Sequence, residues 1–77
     1  MSILSENIRY LRNQINSSQQ KVADALFITR GRYAKYEDGA SEPPIELLLR
    51  ISRYFHISID LMVSVDLRRI SIKEIME

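Results

Sequence analysis

The run Ser18-Gln19-Gln20-Lys21-Val22-Ala23-Asp24-Ala25-Leu26-Phe27-Ile28-Thr29-Arg30-Gly31-Arg32-Tyr33-Ala34-Lys35-Tyr36-Glu37-Asp38-Gly39 is the stretch from which the fold is read. Val22, Ala23 and Leu26 give a short helix its buried stripe. The cap of that helix is either Ser18, or Ser17 with Gln20 three residues on as a capping box. Phe27 and Ile28 interrupt the polar surface, and Thr29 is a good N-cap for a further helix from Arg30 to the neighbourhood of Asp38. Gly39, which takes a left-handed backbone without a steric penalty, is its stop. Tyr33 and Tyr36, three residues apart, share one face of this helix. Arg30, Arg32 and Lys35 make it cationic.

Working outward, Leu4, Ile8, Leu11 and Ile15 recur at helical spacing, which predicts a first helix over roughly Ser2 to Ile15. Beyond Gly39, Ala40 to Pro43 read as a connection, because consecutive prolines disfavour helix before them and allow one to begin at Pro44. The fourth helix then takes Ile45, Leu48, Leu49, Ser52 and Phe55 as its inner face, and His56 lies where the chain leaves it. Ser58 caps a short fifth helix through Ile59, Asp60, Leu61 and Met62. In the tail, Val63, Val65 and Leu67 alternate with Ser64 and Asp66, and Ile70 and Ile72 with Ser71 and Lys73, which predicts extended chain. Ser71 and Glu74 also spell a capping box, and a helix opened so near Glu77 implies a chain that continues past it. Residues 1–63 are therefore expected to form the folded domain and residues 64–77 a C-terminal tail, used for dimerisation or leading to a further domain.

Composition narrows the function classes. The chain has 77 residues, 45% of them apolar, no cysteine and one histidine, His56. Disulfides and thiolate zinc sites are excluded, and a lone histidine cannot build a histidine metal cluster. No apolar run approaches the roughly eighteen residues of a membrane span, and the N-terminus has no basic start followed by a long apolar stretch. A cytoplasmic location is expected, with no cofactor, no metal and no small-molecule ligand. A small enzyme finds no support, for there is neither a carboxylate pair with a nucleophile nor a phosphate loop. The net charge of +1 conceals a gradient. Residues 1–36 carry Arg9, Arg12, Lys21, Arg30, Arg32 and Lys35 against Glu6 and Asp24, whereas the remainder is net acidic. Such asymmetry points to an anion-binding surface built by the first half.

Two short helices joined by a turn of about three or four residues, the second cationic near its start, describe a helix-turn-helix. The quoted run, together with Glu42-Pro43 and Tyr54-Phe55-His56-Ile57-Ser58-Ile59-Asp60-Leu61, resembles the Cro and lambda-repressor-like DNA-binding domains of bacteria and phages, the XRE family. Ala23, the Tyr36-Glu37-x-Gly39 ending and Pro43 fall in the family's register, and the likeness covers about residues 5 to 63. It implies an all-α, five-helix domain whose third helix enters the major groove of double-stranded DNA. By the same resemblance Gln19 touches a phosphate and buttresses that helix, Arg30, Gly31 and Lys35 face base edges, and Thr29 and Arg32 meet backbone or nearby bases. Tyr33 is read as core, with its hydroxyl as a candidate phosphate contact. An arginine fork can donate to guanine O6 and N7 together, and a lysine to the same edge, so the residue types suit the role. The resemblance also pairs Glu37 with Arg12 as a scaffold link between the third helix and the first.

The departures carry expectations of their own. Phe27 stands where the family commonly has glycine, so the turn is expected either to take a backbone unstrained for a bulky residue or to lengthen. Ser17 replaces a usual apolar residue. Ala40, Ser41 and Glu42 offer no cations where the family often contacts DNA backbone. With roughly three or four useful cations per subunit, a monomer would bind weakly. A two-fold homodimer reading half-sites about 34 Å apart follows as the expectation, acting as a transcriptional repressor on a palindromic operator. Leu61, Met62, Val65, Leu67, Ile70 and Ile72 are the candidate dimer surface, and equally candidates to cover the domain's own core. The acidic second half and apolar tail keep a second reading open, a protein-interaction module of antitoxin or phage-control type.

Overall fold

Residues 2–70 are described by the computed structural model, which folds them into five α-helices: α1 (Ile3–Gln14), α2 (Gln19–Ala25), α3 (Arg30–Asp38), α4 (Ile45–Phe55) and α5 (Ile59–Ser64). A 3-10 turn at Leu67–Arg69 follows them. Four of the five helix starts are fixed by a hydroxyl that accepts from the backbone N–H three residues on. Ser2 does so for α1 within a reciprocal box with Ser5, Ser18 for α2, Thr29 for α3 and Ser58 for α5. The alternatives at the start of α2 are thereby resolved in favour of Ser18. Each such cap satisfies an N–H that the helix itself leaves without a partner. α4 begins at Ile45, one residue after the start expected at Pro44, which serves as its cap residue without a side-chain bond.

The exits of α1, α2, α3 and α4 share one device. Asn16, Phe27, Gly39 and His56 all have φ between 52° and 75°. Behind each, the next N–H returns to a carbonyl five residues back: Ser17 to Arg12, Ile28 to Ala23, Ala40 to Lys35 and Ile57 to Ser52. This closure satisfies the last carbonyls through one left-handed residue. Glycine takes that conformation freely and asparagine tolerates it, whereas for phenylalanine it is strained. The turn between α2 and α3 thus keeps the glycine geometry with Phe27 in it. Neither the unstrained backbone nor the longer turn expected for this residue occurs, because the closing hydrogen bonds of α2 require the left-handed position.

Ile8, Leu11, Val22, Ala23, Leu26, Tyr33, Tyr36, Leu47, Leu48, Ile51, Phe55, Ile57, Met62 and Leu67 form the core. α1 packs on α3 and α5, and α2 on α3. Two predicted faces need correction. On α4, Leu47, Leu48, Ile51 and Phe55 turn inward, while Ile45 and Leu49 lie outside. Apolar residues surround this helix, and the rotation that buries Ile51 rather than Ser52 removes more apolar surface from water. On α1, Leu4 is only half-buried and Ile15 is exposed, since it lies past the last helical turn where Asn16 redirects the chain. Ser5 and Asn7 are buried there instead.

Asn7 joins the two ends of the described chain. Its Nδ2 donates to the carbonyls of Met62 (2.8 Å) and Val65 (2.7 Å), and its Oδ1 accepts from the Leu67 N–H at 3.0 Å. The predicted extended strand at residues 63–67 is replaced by the end of α5 and the 3-10 turn, because Asp66 caps that turn and Leu67 plunges into the core. The expected boundary after residue 63 falls inside α5. The capping box at Ser71 and Glu74, and Ile72, lie outside the described residues. Among the described residues, no helix is long and apolar enough to cross a membrane.

Candidate nucleic-acid interface

α3 has two unlike sides. Thr29, Arg30, Gly31, Arg32 and Lys35 are exposed, whereas Tyr33, Tyr36 and Glu37 are buried. The division follows from the spacing of its tyrosines and Glu37, which occupy one stripe at i, i+3 and i+4. Tyr33 is the correction here: its ring is wholly buried and its hydroxyl has no surface to offer a phosphate. Burial first, and then the neighbouring Glu37 carboxylate, push the hydroxyl's pKa up, so it stays protonated.

What holds α3 in place is Glu37, a carboxylate with no exposed surface. Arg12 from α1 grips it with two parallel bonds, Nε to Oε2 at 2.7 Å and Nη2 to Oε1 at 3.0 Å. Gln19, the first residue of α2, donates its amide to Oε1 at 3.0 Å. Three helices therefore meet at one carboxylate. The same guanidinium reaches the Ser17 carbonyl at 2.8 Å, tying in the turn between α1 and α2. Burial raises the Glu37 pKa, but the bonds from Arg12 and Gln19 and the Arg12 charge outweigh it, and the group lies below its ordinary value. Arg12 is held above its own, chiefly by its bond to Glu37.

Arg9 also turns toward α3, reaching the Asp38 carboxylate at 3.2 Å and the Glu37 carbonyl at 3.3 Å. Two of the six cations of residues 1–36, Arg12 and the partly exposed Arg9, are thus engaged by α3. Lys21, Arg30, Arg32 and Lys35 take no ion pair among the described residues. Arg32 is the one among them with a fixed stem. Its Nε donates to the Tyr36 hydroxyl at 2.8 Å and its guanidinium lies 6.0 Å from the ring centroid, leaving the terminal nitrogens for an outside acceptor. Around Gly31 an added Cβ would meet nothing within 4 Å, so packing does not require glycine there.

Two features of this region were hard to anticipate. Phe27 is 86% exposed beside the start of α3. The Ser17 hydroxyl, standing where an apolar group is usual in the resembled family, is buried and, among the described residues, has no hydrogen-bond partner. Of the expected dimer surface, Met62 and Leu67 are fully buried, since α5 and the 3-10 turn close over α1 and use them as core. Leu61 and Val65 are half-buried, and Ile70 keeps some exposure.

A cap-started helix carrying cations outward, braced from behind by the helix before it, defines a helix-turn-helix domain. The chain belongs to that family: the helix-turn-helix family model matches residues 8–62. It is similar to the uncharacterized HTH-type transcriptional regulator YqaE of Bacillus subtilis (strain 168), 39% identical over 61 residues that make up 79% of this chain and 53% of that protein. It is similar also to the cryptic phage CTXphi transcriptional repressor RstR of Vibrio cholerae, 37% identical over 57 residues, 74% of this chain and 51% of RstR. With the HTH-type transcriptional activator BcrR of Enterococcus faecalis it shares 33% identity over 60 residues, 78% of this chain and 29% of BcrR. The chain spans about half the length of YqaE and RstR. No solved structure matches it.

Proposed function

We propose that this chain is a sequence-specific DNA-binding regulator of transcription that inserts α3 into the major groove and acts as a repressor. The observation that carries the reading is the separation on α3: Arg30, Gly31, Arg32 and Lys35 lie outside, the three cations without ion pairs among the described residues, and Glu37 lies inside and fully bonded. Arg30 and Lys35 read base edges. Thr29, Arg32 and the first turn of α2 at Gln19 meet the backbone, Gln19 with its main chain because its side-chain amide is engaged by Glu37. With four cations that take no ion pair among the described residues, a single copy binds weakly, so two copies on a two-fold operator give useful specificity. Repression needs no more than occupancy of the promoter, and the relative named a repressor is matched over a larger share of its length than the one named an activator.

The test starts from operator sites selected out of a random DNA library with the full chain. Arg30→Ala and Lys35→Ala are each expected to lose about 1–3 kcal/mol of binding and to relax base preference at one operator position. Unchanged affinity and preference in both variants would overturn the assignment. A chain that selects no DNA at all, yet retains a protein partner, would favour the interaction-module reading.

A further inference from the structure

On α4 the two apolar residues left outside the core lie one turn apart, Ile45 at 69% exposure and Leu49 at 39%. The charges around them are sorted along the helix axis. Glu42 and Glu46 stand at the N-terminal end, Arg50 and Arg53 toward the C-terminal end, and all four are exposed. None of the four takes an ion pair among the described residues, although Glu46 and Arg50 are four residues apart. The other exposed apolar residues near the end of the described chain, Val63 and Ile70, have the opposite surroundings. There Arg68 pairs with Asp66 and Glu6, and Arg69 with Asp66, so the charges are already satisfied within the chain.

An apolar ridge with exposed opposite charges at its two ends complements itself when a second copy lies antiparallel across it. A parallel pair would set like charge over like. We propose that two copies of this chain associate through α4, antiparallel about a two-fold axis near Leu49. The Leu49 side chains meet on the axis, Ile45 packs beside them, and Glu46 of one copy faces Arg53 and Arg50 of the other. Eleven residues of helix span about 16 Å, so the contact is small and of low affinity in solution. Two half-sites on one DNA hold the copies at high effective concentration and make it productive. This assignment rests on the dimeric reading above and names its surface, in place of α5 and the tail.

The absence of cysteine makes the test direct. Leu49→Cys, Ala25→Cys and Val63→Cys are made singly in the full chain, checked for helical content and melting, and oxidised without DNA at protein concentrations high enough to populate a low-affinity pair. Leu49→Cys is expected to form the disulfide-linked dimer at least about tenfold faster than the other two, the gain coming from effective concentration at the axis. Adding Glu46→Arg to Leu49→Cys should remove that advantage, and adding Arg53→Glu to the same chain should restore it. Equal rates at the three sites, faster linkage at Val63→Cys, or indifference to Glu46→Arg overturns the proposal. Because no DNA is present, these outcomes are independent of whether α3 reads an operator.

Discussion

Phe27 is a residue whose cost and exposure point the same way. A bulky side chain in the left-handed region is strained by about 1–3 kcal/mol, and this one buries almost nothing in return. Phe27→Gly, which relieves the strain but frees the unfolded chain, is expected to gain about 1 kcal/mol, a rise of roughly 4–8 °C in melting temperature. A thermal melt checks it. At Glu37 the expectation is asymmetric. Arg12→Ala leaves a carboxylate uncompensated inside the protein and should cost about 3–5 kcal/mol. Glu37→Gln leaves behind a guanidinium that still bonds the Ser17 carbonyl, and should cost less. Urea unfolding of both variants gives the order. The Arg12–Glu37 pairing could be carried over from the resemblance because both partners are side chains at fixed register. Asn7 could not, since its partners are main-chain groups of Met62, Val65 and Leu67, and a peptide bond leaves no signature in the residue letters. Its only sequence signal was a polar residue at helical spacing from Leu4 and Leu11.

At the scale of the element, helix starts were legible and helix rotations were not. A cap is a contact between a residue and its third neighbour, so Ser18, Thr29 and Ser58 announce themselves locally. Which side of α4 faces inward depends on what the rest of the molecule presents, and its apolar residues allowed more than one answer. α3 provides the clearest separation of stability from function. Gly31 is exposed with open space around it, and glycine inside a helix costs up to about 1 kcal/mol relative to alanine. Gly31→Ala should therefore raise stability by up to that amount while weakening operator binding, if the backbone there comes close to the bases. A melt and a binding isotherm on the same sample measure both, and a variant that is stabilised with undiminished affinity removes Gly31 from the interface.

For the molecule as a whole, the buried carboxylate sets the response to acid. Because the folded-state pKa of Glu37 lies below its unfolded value, its contribution is complete above the ordinary carboxylate range. It is lost as pH falls through the lowered folded value. Melts from neutral pH into acid should show the advantage of the native chain over Glu37→Gln shrinking below about pH 4, near the ordinary carboxylate pKa. Protonation of the folded carboxylate, which comes at still lower pH, loosens the junction of α1, α2 and α3 together, so DNA affinity should fall there. The polarity of the chain, basic first and acidic after, was visible in the residue counts. That Arg9 and Arg12 pair with α3, while Lys21, Arg30, Arg32 and Lys35 take no ion pair among the described residues, required the fold.

The bonds made by Asn7 span up to 60 positions of sequence. On a ribosome α1 is made first, and its amide must wait for nearly the whole domain to emerge before Met62, Val65 and Leu67 arrive. Order of synthesis and order of consolidation are therefore opposed. The residues of α2 and α3 leave the ribosome well before the clasp that seals the domain, so a chain halted short of Leu67 carries its cations on a core that has not yet closed.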